Sequence, residues 1–503
     1  MSQGNHCLVT GASGYIGSRL VPELLAAGHR VRCMTRNPGR LRDRPWSDKV
    51  EIVQADALDG AAVASALDGV DVAYYLIHSI GAAASFEERD LDAARTFARA
   101  AESAGIGRVI YLGGMVPPGA DDLSPHLQSR YQVGEILLAG RVPAVVLQAA
   151  MIIGSGSASF EMLRYLTERL PVMVTPRWVR TLVQPIAVTD VLRYLVGCAE
   201  LTGDVSGRFD IGGPDVLSYA DMMRSYARVA GLKKRIILIV PMLSPRISSL
   251  WVGLVTPVPS GLARPLAESL RNELVCGDHD IASLVPDPPY GLISLQRSIA
   301  LALRQVRTGD AVTRWASATS SGWADEPLPS DPQQADPAWS GGTLYIDDRE
   351  ARVRASADQV WRTIEGIGGE RGWYSSHLLW TVRCLADRAV GGIGLRRGRR
   401  HPDEVQVGDE LDFWRVEEVV PGSLLRLRAE MKLPGRAWLE FSVRHDDQGG
   451  TLYRQRAMFR PFGLSGEVYW WAMRPFYATV FGSMRRNIAV ASGRATLAER
   501  GLL

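Results

Sequence analysis

Residues 9–17 read VTGASGYIG, and this short string constrains the chain more than any other. Three glycines, Gly11, Gly14 and Gly17, recur at every third position. They follow an apolar run, HCLVT, and precede a segment whose Ile16, Leu20, Leu24 and Leu25 share one helical face. A strand must therefore turn sharply into a helix. Glycine allows that turn and lets the backbone approach a ligand closely. The helix N-terminus then offers unpaired N–H groups and a positive dipole end, which suit a pyrophosphate. A glycine pattern in strand–turn–helix context predicts dinucleotide binding and a parallel α/β architecture. Gly28 is placed to end the helix.

The rest of the first half keeps that alternation. RVRCMT, VEIVQAD, DVAYYLIHS, RVIYLGG and PAVVLQAAMIIG read as further strands, and 85–104 and 126–140 as helices between them. Apolar, β-branched runs of this kind belong to a parallel sheet covered on both faces. The fold class expected is α/β, a Rossmann-type doubly wound sheet with a substrate lobe, followed by a C-terminal α+β domain. The expected domains are 1–309, with the lobe at about 155–305, a linker at 310–340, and 341–503. The lobe carries helices at 159–169 and 218–230 and short strands such as RFDIGG. The linker is rich in Ala, Ser, Asp and Pro without periodicity. Beyond it, strands such as GDELDFWRVEEVV and AWLEFSVRHD alternate with turn signals, Ser356 can cap a helix, and a long aromatic helix at about 465–494 should kink at Pro475.

Composition narrows the partners. The formal net charge of +3 over 503 residues gives no long-range field pointing to nucleic acid or to a membrane surface. The cluster LRRGRR reads as a solvated loop or strand end. Five scattered cysteines, with no CxxC spacing, support neither a metal site nor a disulfide framework and fit a reducing cytoplasm. The first strand begins almost at once, which leaves no room for a signal peptide. The most apolar stretch, residues 236–259, is broken by prolines and Arg246, so it reads as buried or interfacial rather than membrane-spanning, with membrane contact as the lesser alternative. Nothing in the sequence sets an oligomeric state.

The end of the second strand speaks to cofactor choice. An NAD site wants an acidic residue there, but this chain has Thr35 and Arg36, with Arg40 and Arg42 nearby. A guanidinium can pair with a 2′-phosphate, so NADP is expected ahead of NAD. Asp56 can meet the adenine edge or cap a helix. The expected cofactor-binding set is Gly11, Ser13, Gly14, Tyr15, Ile16, Gly17, Arg36, Asp56, Ala57, Leu76 and His78, with no metal.

TGASGYIG, TRNP and QADALD resemble the short-chain dehydrogenase/reductase superfamily in its atypical, NmrA-like branch, over about residues 5–300. RYQVGEILLAG and SSLWVGLVTPVP look like a bacterial subgroup in which the Rossmann part precedes a domain of unknown function, and residues 341–503 are similar to that domain. Their strand and helix order also resembles the START-like helix-grip fold. The resemblance implies an NAD(P)-binding oxidoreductase joined to a lipophilic-ligand domain. It also implies a serine, a tyrosine and a lysine in catalysis. Tyr131 aligns with the tyrosine; Glu135 stands at the lysine position, and Gly113 and Gly114 where the serine is expected. A carboxylate opposes tyrosinate where a lysine favours it. His78 and His126 are further acid/base candidates, Ser155, Ser157 and Ser159 could touch substrate or cap a helix, and Arg177 and Trp178 could lie over a substrate or pack on the lobe. Three functions remain open: an NADP(H)-dependent oxidoreductase acting on a hydrophobic small molecule, a non-catalytic NADP(H)-binding sensor, and a lipophilic-ligand binder working through the C-terminal domain.

Overall fold

The computed structural model describes residues 4–42, 44–77, 86–116, 123–240, 258, 265–266, 268–304, 330, 333, 336, 340–375, 401, 404–446 and 450–499. His78, the LRRGRR cluster and most of the apolar stretch after Val240 lie outside the described residues. The chain forms two compact units, residues 1–342 and 343–503.

The first unit opens with β1 (His6–Thr10), α1 (Gly17–Ala26), β2 (Arg30–Thr35), β3 (Glu51–Gln54), α2 (Gly60–Leu67), β4 (Val72–Tyr75), α3 (Phe86–Ala104), β5 (Arg108–Gly114), α4 (Pro125–Leu138) and β6 (Ala144–Ala149). It continues with β7 (Met151–Ile153), α5 (Ala158–Arg169), β8 (Val172–Thr175), β9 (Leu182–Val183), β10 (Pro185–Ala187), α6 (Val188–Ala199), β11 (Gly207–Ile211), β12 (Leu217–Ser218), α7 (Tyr219–Val229) and β13 (Ile236–Ile239). Seven strands form one sheet in the order β11–β6–β5–β4–β1–β2–β3, every pairing parallel. Its central strands are buried throughout, which is why they read as unbroken apolar runs. The strand order reverses between β1 and β4, and a crevice opens at such a point beyond the carboxyl ends. Thr10 fastens the crevice: its hydroxyl donates to the Tyr74 carbonyl at 2.9 Å and accepts from the Leu76 N–H at 2.9 Å.

Two readings from sequence change here. PAVVLQAAMIIG is two strands: β6 stays in the main sheet, while β7 leaves it to pair with β10. RFDIGG is no lobe strand; as β11 it closes the edge of the main sheet beside β6. The lobe is built from β7–β10, β9–β12 and β8–β13 pairs around α5 and α7, with a core that includes Phe160, Leu163, Trp178 and Tyr226.

The second unit has one antiparallel sheet. Its strands are β14 (Tyr345–Val353), β15 (Glu410–Leu411), β16 (Trp414–Val420), β17 (Leu424–Ala429), β18 (Gly435–Asp446) and β19 (Gly450–Pro461), in the order β14–β19–β18–β17–β16–β15. GDELDFWRVEEVV, read as one strand, folds back as the β15–β16 pair, with Asp412 at φ +57° in the turn. Ser356 and Gln359 form a capping box on helix Ala357–Glu365. Helix Gly463–Glu499 contains Pro475 and contributes Val480, Phe481, Met484 and Ile488 to the core under the sheet.

Candidate cofactor site

The glycines earn their places sterically. Gly11 has φ +67°, and a Cβ there would lie 2.6 Å from the Leu76 carbonyl oxygen of the neighbouring strand end. A Cβ on Gly17 would lie 2.4 Å from the Gly11 carbonyl oxygen. Gly14 N–H donates back to that oxygen at 2.9 Å, tightening the turn. Ile16 is the N-cap residue of α1, with no side chain on the first-turn amides. The Ser18 and Arg19 N–H groups of this turn already donate to the Gly14 and Ile16 carbonyls, each at 3.0 Å, so an anion would meet the amides of the glycine turn ahead of them.

A cavity of about 700 Å³ lies against this turn. It is lined by Gly11, Ser13 and Gly14 from the turn, Met34 to Asn37 and Arg40 beyond β2, Ala55 to Leu58 beyond β3, Leu76 and Ile77 beyond β4, and Arg89 and Ala93 of α3. Of the residues singled out from sequence, Gly11, Ser13, Gly14, Arg36, Asp56, Ala57 and Leu76 meet there. Ile16 and Gly17 start α1 beside it. Tyr15 turns away from it. Its hydroxyl is buried and lies 2.4 Å from where a Cβ on Gly154 would be, and burial pushes its pKa well above the ordinary phenol value.

The charge around the cavity is lopsided. Arg36, Arg40 and Arg89 are all exposed, and among the described residues none of the three guanidiniums has a hydrogen-bond or ion-pair partner. Among the described lining residues Asp56 is the single carboxylate, and its Oδ1 accepts from the Leu58 N–H at 3.0 Å. Arg89 was not visible as a site residue in sequence, because it reaches the cavity only through the docking of α3.

Helix α4 presents two different sides. Arg130 turns toward the carboxyl end of β5, where its Nη1 donates to the Leu112 carbonyl at 2.9 Å. His126, buried in the first turn, is four residues before it and so on the same side. Tyr131 and Glu135 turn toward the sheet edge instead. The Arg208 guanidinium of β11 stacks 4.1 Å from the Tyr131 ring centroid and also pairs with Glu135. Tyr131, His126 and Arg130 are all absent from the described cavity lining.

The turn after β7 is closed rather than open to a ligand. Ser155 and Ser157 are buried, and the Ser157 hydroxyl donates to the Ile152 carbonyl at 2.8 Å. Asp336 fills the space over Gly156 and binds Arg19 of α1 through both oxygens, at 2.8 and 2.9 Å. Arg19 also donates to the Ser155 carbonyl at 2.9 Å and stacks 4.2 Å from the Tyr15 ring centroid. Ser330, Gln333 and Asp336, from the segment read as a linker, thus belong to the first unit. Trp178 is buried edge-on against Tyr219, while Arg177 beside it is exposed. Among the described residues no group of acidic, His or Cys side chains could hold a metal ion, and no helix is long and apolar enough to cross a membrane.

Residues 11–149 match the family model described as NAD(P)H-binding. The N-terminal unit thus has a Rossmann-like parallel sheet, the first part of which is similar to NAD(P)H-binding domains. Residues 339–484 match a protein family of unknown function, DUF2867. A 3 beta-hydroxysteroid dehydrogenase/Delta 5→4-isomerase of Mycobacterium tuberculosis is 30% identical over 136 residues, 24% of this chain and 36% of the relative. A UDP-glucose 4-epimerase of Mycolicibacterium smegmatis is 34% identical over 148 residues, 26% of this chain and 47% of the relative. The chain thus spans between a third and a half of the length of these two relatives. Among solved structures, Citrobacter sp. triphenylmethane reductase complexed with NADP(H) is 17% identical, with a TM-score of 0.48 over 59% of this chain and 100% of that one. A nucleoside-diphosphate-sugar epimerase from Staphylococcus aureus is also 17% identical, with a TM-score of 0.47 over 59% of this chain and 99% of that one.

Proposed function

We propose that the NAD(P)H-binding domain serves an NADP(H)-dependent oxidoreductase acting on a hydrophobic small molecule. The observation that carries the cofactor choice is the set of three arginines, unpartnered among the described residues, around a cavity whose described lining has one carboxylate. A 2′-phosphate adds a compact dianion that such guanidiniums pair with bidentately. The glycine turn at the mouth of α1 would hold the pyrophosphate, Arg36 and Arg40 the 2′-phosphate, and Asp56 and Ala57 the adenine edge. When bound, the nicotinamide supplies the hydride. The chain supplies the proton, and here the sides of α4 guide the assignment. His126 shares its side with Arg130 at the end of β5, whereas Tyr131 is committed to Arg208. His126 is the donor in this reading, and Tyr131 is a packing residue.

Titration of the full chain with NADPH and NADH tests the first part. NADPH is expected to bind more tightly, and Arg36→Glu to lose about 10- to 100-fold of that preference, the worth of one charge-assisted hydrogen bond. Turnover on a panel of carbonyl and quinone substrates tests the second. His126→Gln is expected to lose about 10²- to 10⁴-fold, while Tyr131→Phe changes little. Tight NADPH binding with no turnover on the panel would favour the sensor instead.

A second reading concerns residues 343–503 by themselves. A small cavity of about 40 Å³ is lined by Trp414, Met431, Phe459, Trp470, Tyr477 and Phe481 among others, and the buried indole N–H of Trp414 has no partner among the described residues. An apolar ligand with one acceptor atom would suit such a pocket once the long helix yields, in keeping with the helix-grip reading. Solvent extraction of the purified full chain and mass spectrometry would reveal it.

A further inference from the structure

The β8–β13 pair breaks an ordinary rule. In a parallel pair successive side chains face opposite sides, and apolar residues on both faces are ordinarily both covered. Here Val172 stands opposite Ile236 and Val174 opposite Leu238. All four face outward, at 49, 53, 45 and 50% exposure, and Val240 continues the row at 37%. The inner side is apolar too, with Met173 buried in the lobe core and Ile237 and Ile239 packed against it. A contiguous exposed aliphatic row of this kind marks a docking surface.

The charge around the row says what docks there. Lys233 and Lys234 are exposed where β13 begins, and Arg177 and Arg180 are exposed just beyond the end of β8. The row is therefore flanked by cations at both ends. Along the two strands and their described flanks, residues 169–189 and 231–240 contain no Asp or Glu, against three Lys and Arg in each. A cationic rim around exposed aliphatics complements an anionic lipid surface. The side chains enter the headgroup–acyl boundary while ammonium and guanidinium groups lie at phosphate depth. Peripheral attachment needs no spanning segment, and no described helix provides one.

We propose that the β8–β13 ribbon docks the first unit on an anionic membrane surface. The full chain is mixed with vesicles of phosphatidylcholine alone or with phosphatidylglycerol added, and binding is read by co-sedimentation. Partition to the anionic vesicles is expected to be about tenfold stronger, and to weaken from about 0.1 M to about 1 M salt. Val174→Glu with Leu238→Glu is expected to lower partition about tenfold or more without lowering the unfolding midpoint, because both side chains are exposed. Lys233→Glu with Lys234→Glu should remove the preference for anionic lipid. Failure to bind any vesicle overturns the proposal, and so does binding that the two glutamates leave unchanged. A dimer in light scattering that dissolves on Leu238→Glu, without vesicle binding, makes the ribbon an interface between copies and overturns it. A clear fall in unfolding midpoint on the same substitution means the chain itself covers the row, which also overturns it.

Discussion

Asp336→Ala offers the sharpest test of how the first unit is held together. Arg19 and Asp336 have side-chain exposures of 0 and 1%. Removing the carboxylate deletes three hydrogen bonds, two from Arg19 at 2.8 and 2.9 Å and one from the Gln333 N–H at 2.9 Å, and takes this charged partner from a buried guanidinium. Arg19 keeps the Ser155 carbonyl at 2.9 Å and the Tyr15 carbonyl at 3.3 Å, but neither carries a full charge. A void also opens over Gly156, where Asp336 now sits. Breaking a buried pair by removing one partner costs about 3–5 kcal/mol, far more than the pair's net worth. The assay is guanidinium denaturation of the full chain. The transition of residues 1–342 is identified by its shift when NADPH is added. Replacing both partners, Arg19→Met with Asp336→Leu, should recover most of the loss, since no charge is then left buried. A loss below about 1 kcal/mol for Asp336→Ala would refute the reasoning, because that is what an exposed pair costs.

Three further outcomes follow from the same structure. Gly17→Ala should abolish NADPH binding in a titration, because the new Cβ would lie 2.4 Å from a backbone oxygen that the turn cannot move cheaply. Arg89→Ala should weaken NADPH about tenfold or more with little change in unfolding midpoint, since the exposed guanidinium has no partner among the described residues to lose. Burial pushes the thiols of Cys7, Cys33, Cys198 and Cys276 up to about 12, so a thiol reagent at pH 8 should label none of them until the chain is unfolded. Each of these raised values favours the folded state below the unfolded thiol's pKa, and that contribution disappears as pH climbs toward 12.

The glycine turn was legible because its chemistry is local: three glycines, a strand before and an apolar-faced helix after. The sheet strands were legible because burial on both faces writes itself as an unbroken apolar run. The same property hid the break between β6 and β7. Ala149, Ala150 and Met151 continue the run, and no residue type marks the step from one sheet to another. Arg89 and the direction in which Tyr131 faces were hidden for a different reason. Tyr131 and Arg130 are adjacent in sequence but about 100° apart on a helix, and only docking decides which one meets the end of β5. Asp336 was concealed by its surroundings, since a segment rich in Ala, Ser, Asp and Pro reads as solvated. Its partner lies 317 residues away, beyond any periodicity argument.

That separation also has a temporal side. At roughly 5–20 residues per second of synthesis, Arg19 leaves the ribosome about 16–63 s before Asp336. The sheet strands, through residue 211, are complete well within that interval. For its remainder, a nascent chain that closed around α1 would enclose Arg19 before its Asp336 partner exists. Final consolidation of the first unit therefore waits for the last residues before its boundary, and a ribosome that stalls before residue 336 leaves this unit unfinished.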